Sequence, residues 1–178
     1  MTQPPSPSNP AAHPPSAAQA PGPTPSLRLE MVSDPTYLSG AREMVAAVTR
    51  RLGFTEEGSG QIALAVDEAL CNIIRHGYDR RTDRPIWLTL APIAGGNGKA
   101  EGVTIVLEDE AKQVDPVVIK SRDLEEIRPG GLGVHIIREI MDDVRYEKRD
   151  GAGMRLTMSK RIANVVAPGD SKRAKACG

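Results

Sequence analysis

The chain has 178 residues, 39% of them hydrophobic, which is enough for one domain with its own core but not for two full domains. Its 23 basic and 23 acidic residues cancel, so no overall charge favours nucleic acid or an anionic membrane as a partner. Two cysteines, no apolar run near the ~20 residues of a membrane span and no N-terminal signal pattern favour a cytoplasmic protein.

The two ends of the chain predict no packed structure. Residues 1–25 are rich in Pro, Ala and Ser and have no bulky apolar side chain after Met1. They are expected to form a disordered tail, because they have little apolar surface to offset the loss of chain entropy. Residues 163–178 are expected to form a flexible C-terminal tail. The folded domain is therefore predicted between residues 26 and 162.

The first half of this domain predicts one strand and two helices. Alternating apolar residues over 26–32 predict a first strand at a sheet edge. An apolar stripe at helical spacing begins after Asp34 and ends at Gly53, which predicts the first helix. Thr55, followed by two acidic residues, predicts the N-cap of a second helix that runs to about His76.

The second half predicts four strands and one helix. Residues 84–93 and 102–109 are expected to pair antiparallel across a glycine-rich hairpin loop. A charged stretch without a clear pattern follows Pro116 and leads to a third helix. The last two strands are expected to turn at 150–153. The second of these strands alternates Met154, Leu156 and Met158.

The third helix is expected to face inward through Leu132, one of Ile136 and Ile137, and one of Ile140 and Met141. The order β-α-α-β-β-α-β-β predicts an α+β two-layer sandwich. Three helices would cover one face of a mixed, mostly antiparallel sheet of four or five strands.

The second helix carries a row of polar residues in the segment EALCNIIRHGY. Glu68, Asn72 and His76 are spaced four residues apart along the edge of the apolar face. An unsatisfied buried polar group costs ~1 to 3 kcal/mol, so these side chains need partners. Together they offer hard oxygen ligands and one candidate base. A solvated i, i+4 pair followed by a Gly77 C-cap is the structural alternative.

Two later segments carry features of a binding site. LEDEAKQVDP (107–116) places an acidic residue directly after an apolar strand, and RPGGLGVHIIRE (128–139) places three glycines at the start of a helix. Glycines allow close backbone approach, and a helix N-terminus offers free N–H groups to an anion such as phosphate. Alternatively, the glycines could end a loop and allow close helix packing.

The order of these three segments resembles the N box, the first glycine box and the second glycine box of the GHKL, or Bergerat-fold, ATPases. Within that superfamily, the sequence is most similar to bacterial anti-sigma factor serine kinases. The closing segment DDVRYEKRDGAGMRLTMSKRI resembles their terminal hairpin. The resemblance covers about residues 26–162.

The resemblance implies a role for several residues. Asn72 matches the residue that holds Mg²⁺ bridging the phosphates of ATP, for which an amide oxygen is a suitable hard ligand. Glu68 matches the base that takes the proton of the acceptor hydroxyl. Asp109 matches the aspartate that accepts a hydrogen bond from the adenine amino group. Arg75 and His76 would border the site without a catalytic step.

The same comparison implies a phosphate-binding turn formed by Gly130, Gly131, Leu132 and Gly133. Residues 117–130 match the mobile lid that covers the nucleotide in this family.

One departure from the family pattern lies in the first glycine box. The family's D-x-G is replaced by Asp109, Glu110 and Ala111, which places Ala111 at a nucleotide-contacting position. Val114 also replaces a common Phe. If the position of Ala111 needs a left-handed backbone, alanine is disfavoured there by roughly 1 to 2 kcal/mol. The resemblance then implies weakened ATP binding or a reshaped turn.

The resemblance implies an anti-sigma factor that is also a serine/threonine-protein kinase using ATP and Mg²⁺. Such a protein sequesters a sigma factor, phosphorylates a STAS-type anti-anti-sigma factor and works as a homodimer. One alternative is a binding module with impaired ATP handling that acts by sequestration alone. The catalytic piece of a histidine kinase is a weaker alternative, because no helical segment with a phospho-acceptor His precedes the domain.

Overall fold

The computed structural model describes residues 27–96, 98–121 and 132–163, and the two predicted tails lie outside this part except for residue 163. The elements are β1 (Leu27–Val32), α1 (Leu38–Leu52), α2 (Glu56–Asn72), β2 (Pro85–Ala94), β3 (Ala100–Asp109), α3 (Pro116–Ser121), α4 (Leu132–Ile140), β4 (Asp143–Lys148) and β5 (Met154–Arg161). No helix in the described ranges is long and apolar enough to cross a membrane.

The five strands form one sheet in the order β1-β2-β3-β5-β4. Each of the four pairings is antiparallel, so the described sheet is antiparallel throughout. The predicted α+β sandwich is confirmed, as is the edge position of the first strand.

The core lies between the sheet and helices α1, α2 and α4. Its fully buried side chains include Val45, Ile62, Val66, Leu70, Leu88, Ile105, Leu107 and Ile137. Burying each large apolar side chain contributes about 1.5 to 3 kcal/mol. On β3 the inward positions are Ile105, Leu107 and then Asp109, because successive side chains alternate between the faces of a strand. The apolar row of β3 therefore ends in a buried carboxylate.

The caps of the first two helices match the prediction. Gly53, with φ of 108°, ends α1 in the left-handed region. The side chain of Thr55 accepts a hydrogen bond from the Gly58 N–H at 3.0 Å and thereby begins α2.

The segment after Pro116, for which no element was predicted, begins with the short helix α3. The Asp115 carboxylate accepts a hydrogen bond from the Val117 N–H at 3.0 Å, and proline suits the first position of a helix. This local cap explains why a helix forms here although no hydrophobic pattern predicted one.

The prediction that Leu132 faces inward is wrong, since this residue is 66% exposed. The inward stripe of α4 runs instead through Gly133 and Ile137 to Met141, just beyond the helix, at a spacing of four residues. Only its first position is one residue later than expected and is occupied by a glycine, whereas Ile137 and Met141 are among the residues predicted to face inward.

The predicted end of the second helix is also corrected. α2 ends at Asn72, and a π-helical turn follows in which the Tyr78 N–H donates to the Ile73 carbonyl at 2.9 Å. The wider turn rotates the following residues, so His76 is exposed and leaves the row of Glu68 and Asn72.

Gly77 is not a left-handed C-cap, because its φ is not among the positive values of the described glycines. A Cβ at Gly77 would lie 2.9 Å from the Cβ of Ala111. Glycine is therefore required at position 77 by its contact with the segment that follows β3.

The contact between Gly77 and Ala111 generates a stability prediction. Gly77→Ala is expected to lower the free energy of unfolding by about 1 to 3 kcal/mol, because it overpacks this junction. Ala111→Gly in the same chain should relieve the clash and recover most of the loss. Urea denaturation of the four members of the double-mutant cycle measures the coupling.

Gly60→Ala is the matched control, since Gly60 lies inside α2 and a Cβ there meets nothing within 4 Å. This variant should gain stability by about 1 kcal/mol through helix propensity. If Gly77→Ala destabilises the chain equally with and without the Ala111→Gly change, the two positions are not coupled.

Candidate functional site

The side of α2 that carries Glu68 and Asn72 faces the first turn of α4. Both side chains are half-buried. A Cβ at Gly133 would lie 2.7 Å from Glu68 Oε2 and 3.2 Å from Asn72 Nδ2. The first and third of the predicted segments therefore meet: the carboxylate and amide of α2 lie against the N-terminal backbone of α4, and only glycine fits between them.

Asn72 carries a buried polar atom without a partner. Its Nδ2 makes no hydrogen bond to any described residue, which costs ~1 to 3 kcal/mol unless a ligand supplies one. The amide oxygen is a suitable ligand for Mg²⁺, which usually keeps several waters and needs few protein ligands. The described residues hold no cluster of three or more His, Cys, Asp or Glu side chains that could bind a metal alone. The residues present thus fit a magnesium ion held through Asn72 and by groups from outside the chain.

Asp109 is only 4% exposed and lies at the end of β3. Its Oδ1 accepts hydrogen bonds from the Ala111 N–H at 2.8 Å and from the Met154 N–H at 3.1 Å. Burial raises the pKa of Asp109, while these two bonds and the nearby Arg149 charge oppose the rise. An ionised carboxylate in this position is an acceptor only and suits a ligand that presents an amino group.

Ala111 does not have the strained backbone expected from the missing glycine. Among the described non-glycine residues, positive φ occurs only at Asp79 and Arg80. Ala111 is buried, and its methyl group abuts Gly77. The expected penalty for a left-handed alanine is therefore absent.

Tyr78, to which the sequence suggested no role, joins the end of the α2 region to the turn after β3. Its hydroxyl donates to the Pro85 carbonyl at 2.6 Å and accepts from the Glu110 N–H at 2.6 Å. Burial raises the pKa of Tyr78, so the hydroxyl stays protonated and can serve both partners. The signal in the sequence that could have indicated this role is an aromatic residue directly after Gly77.

Sequence reasoning also missed the role of the hairpin between β4 and β5. Gly153 has φ of 87°, and a Cβ there would overlap the Asp109 carbonyl oxygen. The guanidinium of Arg149 donates a hydrogen bond to the same carbonyl. The predicted hairpin glycine gave the position of the turn but not its contact with Asp109.

Other predicted site residues lie at the margin or outside the described part. Arg75 and His76 are exposed. Leu132 is the exposed first residue of α4. Gly130 and Gly131 lie outside the described residues, and the predicted lid over 117–130 is described only as far as residue 121.

The chain is similar to known proteins of one family. The histidine kinase-like ATPase domain family matches residues 31–160. The chain is 27% identical over 134 residues to the serine-protein kinase RsbW of Listeria monocytogenes, a match that covers 74% of this chain and 85% of RsbW. It is 32% identical over 133 residues to the anti-sigma F factor of Priestia megaterium, covering 72% and 87% of the two chains.

A solved structure shares the fold. The crystal structure of RsbU and RsbW domains from Mycobacterium tuberculosis matches with a TM-score of 0.54 at 18% identity, over 78% of this chain and 33% of that chain. The chain belongs to the histidine kinase-like ATPase family, within the group of anti-sigma factor serine-protein kinases that includes RsbW.

Proposed function

We propose that the chain is an ATP- and Mg²⁺-dependent serine/threonine-protein kinase that also acts as an anti-sigma factor. It sequesters a sigma factor and phosphorylates a STAS-type anti-anti-sigma factor, and it works as a homodimer. The observation that supports the proposal is the close approach of Gly133 to Glu68 and Asn72, because it brings a carboxylate and an amide to the N-terminus of a helix. The relatives named RsbW and anti-sigma F factor support the choice of partners.

The proposed phosphate end of the site lies where α2 meets α4. Asn72 would hold Mg²⁺ through its amide oxygen, and its orphaned Nδ2 would then face bound ligand or water. Bound magnesium would neutralise charge on the phosphate oxygens. Free N–H groups at the start of α4, around Leu132 and Gly133, would bind the phosphates with the help of the helix dipole. Gly130 and Gly131 would complete this turn.

Glu68 is proposed to take the proton of the acceptor hydroxyl. Its side chain is half-buried and makes no hydrogen bond or ion pair with another described residue. It lies one helical turn from Asn72, about 5 to 6 Å between Cβ atoms. This spacing lets one face of α2 position both the nucleophile and the phosphate.

The proposed adenine end lies at the turn after β3. Both described hydrogen bonds to the Asp109 carboxylate use Oδ1, so Oδ2 is the proposed acceptor for the adenine amino group. Ala111 would contact the base through a backbone of ordinary φ. Strain at Ala111 was the reason to consider a binding module that has lost the ability to bind ATP. Because this strain is absent, no observation favours such a module over a kinase.

Glu68→Gln is expected to abolish phosphotransfer while leaving nucleotide binding unchanged. Loss of a general base lowers the rate by about 10²-fold to 10⁴-fold, and glutamine keeps the size of the side chain. Transfer of radiolabel from ATP to candidate STAS proteins of the same genome measures the rate. Nucleotide affinity is measured separately by calorimetry.

Glu57→Gln is the control for this change, since Glu57 is exposed in the first turn of the same helix. It should transfer phosphate like the unmodified chain. If Glu68→Gln does so too, Glu68 is not the base. If no STAS protein is labelled although ATP binds, the proposed kinase activity is wrong.

Asp109→Asn is expected to preserve or raise stability at neutral pH while it weakens the binding of ATP. The raised pKa of Asp109 means that the folded chain binds this proton more tightly than the unfolded chain. The contribution of Asp109 to stability therefore falls as pH rises from the ordinary carboxyl pKa through the raised one. Asparagine keeps an oxygen for the Ala111 and Met154 N–H groups without a charge to desolvate, so the variant should be at least as stable at neutral pH.

The same variant should bind ATP more weakly, because its amide N–H₂ would face the adenine amino group, donor against donor. Urea unfolding at mildly acidic and neutral pH tests the stability part. A competition experiment between ATP and GTP tests recognition. Unchanged preference for ATP would show that Asp109 does not read the base.

A further inference from the structure

Arg149 lies in the hairpin turn directly after β4 and makes three contacts with its guanidinium. Nη1 donates to the Asp109 carbonyl oxygen, and Nε lies 3.6 Å from Glu108 Oε1. The guanidinium carbon lies 5.1 Å from the centre of the Trp87 ring, within range of a cation–π interaction. With 25% of its side chain exposed, Arg149 is a largely buried cation.

The backbone of Arg149 is fixed as well. Its N–H donates to the Gly153 carbonyl at 3.1 Å, and its carbonyl accepts from Gln113 Nε2 at 2.7 Å. Arg149 therefore contacts the segment after β3 at both ends, at Asp109 through its side chain and at Gln113 through its carbonyl.

The carboxylate and the carbonyl of Asp109 are held by neighbouring parts of one hairpin. Met154, at the start of β5, donates to the carboxylate, while Arg149 donates to the carbonyl. Gly153 lies between these two residues and leaves no room for a Cβ beside that carbonyl. Two hydrogen bonds from the hairpin thus hold Asp109, one on its side-chain carboxylate from Met154 and one on its peptide carbonyl from Arg149.

We propose that Arg149 is a positioning residue for base recognition: by clamping the Asp109 peptide it keeps the carboxylate aimed at the adenine amino group. This inference depends on the proposed nucleotide site. Arginine suits the role because its planar guanidinium can serve a carbonyl, a carboxylate and an aromatic face at once, whereas the lysine ammonium is a point charge.

The chain supplies a matched control in Arg155. Its guanidinium also pairs with Glu108, at 2.8 Å from Nη2 and 3.1 Å from Nε to Oε1, and its side chain is 51% exposed. No described hydrogen bond joins Arg155 to Asp109. Removing Arg155 therefore takes one cation from Glu108 and leaves the clamp intact.

The test compares ATP and GTP affinities of Arg149→Met, Arg155→Met and the unmodified chain. Arg149→Met should lower ATP affinity about tenfold, the effect of losing one charge-assisted hydrogen bond, and leave GTP affinity unchanged. Arg155→Met should keep the preference for ATP. Equal losses for ATP and GTP would indicate a merely structural role and overturn the inference, as would full ATP preference in Arg149→Met.

Amide hydrogen exchange without nucleotide provides a second readout. The N–H groups of Ala111 and Met154 bond to the Asp109 carboxylate, so both should exchange faster in Arg149→Met and at the normal rate in Arg155→Met. Unchanged protection of these two amides in Arg149→Met overturns the clamp. No nucleotide is present in this experiment, so it tests the clamp even if the unmodified chain binds neither ATP nor GTP. Failure of the unmodified chain to bind either nucleotide would refute the proposed function and not the clamp.

Arg149→Lys replaces Arg149→Met in both experiments if the methionine variant does not fold. Lysine keeps the charge and the apolar stem over Trp87 but lacks the planar fork. Partial loss of ATP preference, with faster exchange of the Ala111 amide, supports the clamp. Preference and exchange like those of the unmodified chain contradict it.

Discussion

The close approach of α4 to α2 at Gly133 is the constraint on which the rest of the site depends. A side chain at this position would collide with Glu68 and Asn72, so glycine is what brings a helix N-terminus against a carboxylate and an amide. The same approach buries the Asn72 amide without giving it a partner among the described residues. An unsatisfied group of this kind weakens the fold unless a ligand binds, and such local cost is common at functional sites.

The proposed adenine end of the site follows from the alternation of side chains along β3. The inward row of that strand ends in Asp109 rather than in another apolar residue, so a core position presents a carboxylate where we propose that adenine binds. Three surrounding elements then fix the turn that follows. Tyr78 bonds to the Glu110 N–H, Met154 bonds to the Asp109 carboxylate, and Arg149 bonds to the Asp109 carbonyl. Such preorganisation lowers the entropic cost of binding a ligand.

Local patterns were sufficient to predict the sheet, the C-cap of α1 and the N-cap of α2. The order of three segments led to the prediction of the site residues, and the structure brings two of these segments together at Gly133. Long-range contacts account for most of what was missed. The π turn after Asn72 includes Gly77, which packs against Ala111, 34 positions later in the sequence. No helical periodicity encodes that contact. In the sequence, nothing distinguishes Arg149 from an ordinary hairpin residue. Its contact with Asp109 is seen only in the folded chain. The exposure of Leu132 could have been inferred, because Gly133, Ile137 and Met141 also fit a four-residue stripe.

Paramagnetic broadening by Mn²⁺-ATP, used in place of Mg²⁺-ATP, tests most directly whether α2 and the start of α4 form one metal-nucleotide site. In amide NMR spectra, the signals of Asn72 and Gly133 should broaden together at low occupancy. Gly58 is the internal reference, since it lies 14 residues before Asn72 on α2, about 21 Å along the helix axis. Its signal should remain sharp. Broadening at Asn72 without Gly133, or equal broadening of all three, would contradict a shared site.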